Sequence, residues 1–103
     1  MLSLVEDRVE EVGRVCRRHG VERLDLFGSA VGDGFSLEGS DLDFVVSFER
    51  REPSRLFDRY FGLKEDLESL FGRGVDLVME GAVGRNPYFA QSVAETRVPL
   101  YAA

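Results

Sequence analysis

Residues 27–47 read FGSAVGDGFSLEGSDLDFVVS, and the two ends of this stretch decide how the rest of the chain is read. The opening follows an apolar run, Leu24-Asp25-Leu26-Phe27, and turns at once into Gly28-Ser29. The close is Ser40-Asp41-Leu42-Asp43 running into Phe44-Val45-Val46-Ser47-Phe48, a β-branched and aromatic segment that predicts a strand. Side chains alternate along a strand, so Asp41 and Asp43 share one face while Leu42, Phe44, Val46 and Phe48 share the other. A rise of about 3.3 Å per residue puts those two aspartates roughly 6.6 Å apart at Cα. Like charges that close, aimed the same way, call for a cation between them. Hard divalent ions such as Mg²⁺ favour carboxylate oxygens and share their shell with substrate phosphates. At the other end, Gly28 permits a tight turn and a close approach, and Ser29 stands where a short helix begins, its free amides aimed at an anion. The two ends together describe nucleotide phosphates at a Gly-Ser turn with metal under the aspartates.

Gly28-Ser29, then residues 30–40, then Asp41-x-Asp43 resembles the mark of the DNA polymerase β-like nucleotidyltransferase superfamily. Within it the chain is most similar to the minimal nucleotidyltransferase (MNT) domains. The tail segments Arg85-Asn86-Pro87-Tyr88-Phe89 and Arg97-Val98-Pro99-Leu100-Tyr101 extend the likeness over nearly the whole chain. The resemblance implies Asp41, Asp43 and a third carboxylate, Asp76, as catalytic residues and ligands of two Mg²⁺ ions. It implies ATP at Gly28, Ser29 and Ser40, with Ser40 bracing the loop before Asp41. MNT proteins resemble the antitoxin half of toxin–antitoxin pairs. A HEPN ribonuclease toxin from a neighbouring gene is therefore the implied partner, with AMP moving from ATP to one of its tyrosines. One departure stands out: many relatives carry an arginine two to four residues after the Gly-Ser pair, and here no basic residue follows the pair until Arg50. That keeps a second reading open, an antitoxin that neutralises its partner by binding alone.

Length and charge set bounds on these readings. The 103 residues suit a single domain with one modest core. A net charge of −6 argues against a general nucleic-acid binder. No apolar run is long enough for a membrane span, and one cysteine fits a reducing cytoplasm. Oligomers of like or unlike chains are both compatible with this composition.

The remaining elements frame the stretch. Leu2, Val5, Val9, Val12 and Cys16 recur at helical spacing and predict a helix over 3–19, opened by a Ser3/Glu6 capping box and ended at His19-Gly20. A second helix is expected over 54–71, with Leu56, Tyr60, Leu63, Leu67 and Leu70 inward, Phe57, Phe61 and Phe71 widening the buried stripe, and a kink at Gly62. Val75–Met79 predicts a strand with Asp76 on the face of Asp43. A short helix over 87–95 should turn Tyr88, Phe89 and Val93 inward, and 98–101 is an edge strand or a packed tail. Phe35 is read as core-edge and Asp25 as a surface charge. The expected fold is α+β, a small mixed sheet of three or four strands with helices on one face and an open face carrying carboxylates.

Overall fold

Seven-residue strands β1 (Val21–Phe27) and β2 (Leu42–Phe48) form the antiparallel centre of a four-stranded sheet. β3 (Val75–Met79) runs parallel to β2 on one side, and β4 (Val98–Ala102) runs antiparallel to β1 on the other. The order β3-β2-β1-β4 makes the sheet mixed. The computed structural model describes residues 3–31, 41–50 and 55–103, apart from the side chains of Ser3 and Ser29. The readings of the Ser3 cap, the Ser29 hydroxyl, Phe35 and Ser40 lie outside the described residues.

Parallel pairing of β2 with β3 needs a long return path, which α3 (Leu56–Phe71) supplies. Strand alternation then sorts the residues as expected. Leu24, Leu26, Leu42, Phe44, Val46, Val75 and Leu77 join Val5, Val12, Cys16, Leu63, Leu67 and Phe71 in the main core. Burial pushes the Cys16 thiol up to about 12, which leaves it a packing group. Among the described residues no helix is long and apolar enough to cross a membrane.

Several local expectations are corrected. The N-terminal helix is broken into α1 (Ser3–Glu6) and α2 (Val9–Arg18), and Val9 is 37% exposed rather than in the core. α3 runs through Gly62 without a break, and that glycine leaves room for a neighbour. A Cβ there would lie 2.7 Å from His19 Cε1. His19 caps α2, and its Nε2 sits 2.6 Å from Asp66 Oδ2. That hydrogen bond holds the Asp66 carboxyl below the usual carboxylate range. Arg59 donates to the carbonyls of His19, Gly20 and Glu49, fastening the end of α2 and the end of β2 to α3.

Phe57 and Phe61 are also not core, at 70% and 43% exposure. At 3.6 residues per turn Phe61 lies about 160° round the helix from Leu63, beyond the reach of the sheet. Tyr88 likewise points outward, at 86% exposure. It belongs to α5 (Pro87–Thr96), which opens on Asn86, whose side chain accepts from the amides of Tyr88 and Phe89. Phe89 and Val93 carry that helix's inward face, with Phe89 set edge-on to Phe27 at 5.7 Å.

α5 and α4 (Glu80–Val83) build a second, smaller cluster on the carboxylate face of the sheet, from Phe27, Val45, Val83 and Val93. Part of that face is therefore capped. Beneath the cap lies Asp25, which is fully buried and not a surface charge. Its carboxylate accepts from Arg23 Nε at 3.0 Å and from Arg97 Nε at 2.8 Å, and Arg97 also reaches Glu80 at 2.9 Å. A buried charge persists only when paired, and removing one member strands the others. Asp25→Asn should lower unfolding stability by about 3 kcal/mol. Arg8→Ala, which breaks an exposed ion pair with Glu11, should cost no more than roughly 0.5 kcal/mol. Urea titration of both variants checks the contrast, and equal small losses would contradict it.

Candidate functional site

β2 and β3 pair in the register Leu42↔Val75, Asp43↔Asp76, Phe44↔Leu77. The two aspartates are direct cross-strand neighbours, about 4.8 Å apart in the pairing direction and on one face. On the other side Asp43 is opposite Phe27, so the chain leaves β1 beside it and turns at Gly28 into a 3₁₀ turn, Gly28–Ala30. Gly28 has φ +79, in the left-handed region, and a Cβ there would stand 2.5 Å from Asp43 Oδ2. Glycine is thus required by both the turn and the carboxylate pressed against it.

Asp43 is half-buried and Asp76 exposed. Burial, then the charge of Asp76 and a hydrogen bond to it, then the charge of Asp41, push the Asp43 carboxyl up to about 6. Asp41 lies one pleat earlier, and its Oδ1 would be 2.5 Å from a Cβ at Gly74. The amide of Leu42 donates to the Gly74 carbonyl at 3.1 Å, which fixes that seat. From the sequence Gly74 reads, with Gly72, only as the stop of the second helix, although counting back two from the Asp43–Asp76 pair puts it opposite Asp41.

The family resemblance implies three carboxylates around metal. The fold assembles Asp43 with Asp76 and leaves Asp41 adjacent, over Gly74. Among the described residues no three carboxylate, imidazole or thiol side chains surround one point. The donor set still fits a hard divalent ion: an all-oxygen carboxylate pair whose mutual repulsion a cation would relieve.

Gly28 differs from expectation in one respect. Its amide donates to Thr96 Oγ1 at 3.0 Å, while the Thr96 hydroxyl donates to the Ser92 carbonyl at 2.8 Å. The amide expected to meet phosphate is held by the last residue of α5. No local sequence signal marks Thr96, because the contact spans 68 positions.

Comparison with known proteins gives the arrangement a lineage. The sequence profile described as "Nucleotidyltransferase domain" matches residues 10–100. A Methanocaldococcus jannaschii protein, named as a candidate protein adenylyltransferase, is 33% identical over 95 residues, covering 91% of this chain and 92% of its own. A solved structure named as a candidate minimal nucleotidyltransferase superposes with a TM-score of 0.71 at 36% identity, covering 95% of this chain and 96% of that one. An MNT antitoxin in complex with a tri-AMPylated Shewanella oneidensis HEPN toxin has the same fold. Its TM-score is 0.63 at 18% identity, over 96% of this chain and 73% of that one.

The raised Asp43 carboxyl carries a pH signature. Its folded value of about 6 exceeds the ordinary 3.8, so the native state holds the proton longer than the unfolded chain. Native stability from this group is full below pH 4, falls as pH rises through about 6, and is flat above. Asp43→Asn removes the loss. Its advantage over the parent should grow from pH 4 to 6 and level off near 1 kcal/mol, about 4–8 °C in Tm, after allowance for solvent screening. Metal-free urea titrations across that range measure it, and a pH-independent difference would count against the cause.

Proposed function

We infer the function from one premise: the chain belongs to the nucleotidyltransferase domain family, in its minimal form. We propose that it is a protein adenylyltransferase that moves AMP from ATP to a tyrosine of a HEPN ribonuclease toxin and thereby neutralises it in the cytoplasm. The observation that carries this reading is the in-register pair Asp43–Asp76 beside the Gly28 turn.

In that reading Asp43 and Asp76, with Asp41 beside them, would hold Mg²⁺, and the ion would supply charge neutralisation for the phosphates. Asp43, pressed against Gly28, fixes the distance between the carboxylates and the turn that receives the triphosphate. Ser29 and Ser40 are the proposed polar contacts to ATP. Asp76 stands on the exposed side and takes the proton of the acceptor hydroxyl. A bond forms between the tyrosine oxygen and the α-phosphorus, the α–β bridge breaks, and pyrophosphate carries away the displaced charge. The proposed acceptor is a tyrosine that a docking protein presents to the site.

A second reading, neutralisation by binding alone, is favoured by the absence of a basic residue between Gly28 and Arg50. Without that charge the triphosphate relies on metal and backbone. One experiment separates the two. Purified protein, the neighbouring-gene product, Mg²⁺ and ATP labelled at the α-phosphate are incubated, beside an Asp43→Asn/Asp76→Asn double variant. Label on a tyrosine of the partner, reduced at least 10³-fold in the variant, is the expected result. Equal protection by both proteins with no label supports the binding-only reading.

A further inference from the structure

We propose that Thr96 is a positioning residue for the site, holding the Gly28 turn at the distance from Asp43 that Mg·ATP needs. This rests on the nucleotidyltransferase reading above. Gly28 is gripped on two sides: its amide by the Thr96 hydroxyl at 3.0 Å, and its α-carbon by Asp43 Oδ2, which leaves no room for a Cβ. Thr96 cannot swing freely. Its own proton is committed to the Ser92 carbonyl at 2.8 Å, so its oxygen is oriented as an acceptor toward Gly28. The next residue, Arg97, is locked onto fully buried Asp25 of β1 and onto Glu80 of α4. The end of α5 is therefore pinned twice, to β1 at Asp25 by charge and to the turn after β1 at Gly28 by the hydroxyl.

The consequence is mechanical. A glycine at φ +79 has wide conformational freedom unless something holds its amide. Loss of the Thr96 acceptor frees the turn to drift from Asp43, and the site loses its fixed spacing between carboxylate and phosphate. Only the hydroxyl does this.

The test pairs Thr96→Val, which keeps the shape without the acceptor, with Thr96→Ser, which keeps the acceptor. Isothermal titration with Mg²⁺ and a non-hydrolysable ATP analogue is run beside amide hydrogen exchange at Gly28. The unaltered protein comes first. The expected result is faster Gly28 exchange and about five- to tenfold weaker nucleotide binding in Thr96→Val, roughly the loss of one neutral hydrogen bond. Thr96→Ser should stay within about twofold of the parent on both readouts, and all three proteins should remain folded at the temperature of the titration. Unchanged nucleotide affinity in Thr96→Val overturns the inference while leaving the nucleotidyltransferase reading intact. Equal weakening in Thr96→Ser and Thr96→Val overturns it as well, by assigning the effect to shape. If the unaltered protein takes up no Mg·nucleotide, the reading of the site falls first and the inference with it.

Discussion

The parallel register that sets Asp43 opposite Asp76 is the constraint on which the site depends. Two carboxylates in direct cross-strand contact oppose the pairing that creates them. The sheet tolerates the pair because the opposite face is so well filled: Phe44 and Leu77, the adjacent register pair, and their neighbours Leu42 and Val46 are buried to 5% exposure or less. Slipping the strand by one residue would move this whole apolar set to the carboxylate face. The core thus enforces a local electrostatic conflict, and the raised Asp43 carboxyl is its trace. Strain of this kind is what a bound cation and phosphates would relieve.

Around the pair, the fold makes space by omission and order by distant ties. Gly28 and Gly74 each leave out a Cβ where an aspartate oxygen lies. Gly62 does the same for His19 on the far side of the sheet. The ties come from late in the chain: Thr96 to Gly28, Arg97 to Asp25 and Glu80. α5 is the brace that joins β1, the turn and α4, and β4 continues from it into the sheet.

What could be read in the sequence follows from the range of each interaction. Alternation along a strand is local, so the face of Asp41, Asp43 and Asp76 was legible, as was the apolar partition of β1, β2 and β3. The second helix and its Leu63/Leu67 face were legible from period alone. Contacts between distant positions were not. Asp25 reads as a surface charge because its partner from the far end of the chain, Arg97, is 72 residues away. Gly62 looked like a weak point because His19 belongs to another helix. Phe57 and Phe61 looked like core because composition says nothing of where a sheet ends. Thr96 carried no signal, being an ordinary residue at a helix end. The sequence did contain enough to find Gly74, since the register of one aspartate pair dictates the residue opposite the other.

The carboxylate pair beside Gly28 is the proposed seat of a divalent cation. Titration of Mn²⁺ into ¹⁵N-labelled protein, followed by paramagnetic broadening of the amide spectrum, tests it without any assumption about the partner. The account expects broadening centred on Gly28, Asp43 and Asp76, reversed by excess Mg²⁺ and absent in Asp43→Asn. Broadening spread over the exposed acidic faces of α2 and α3, and unchanged by that substitution, would contradict it.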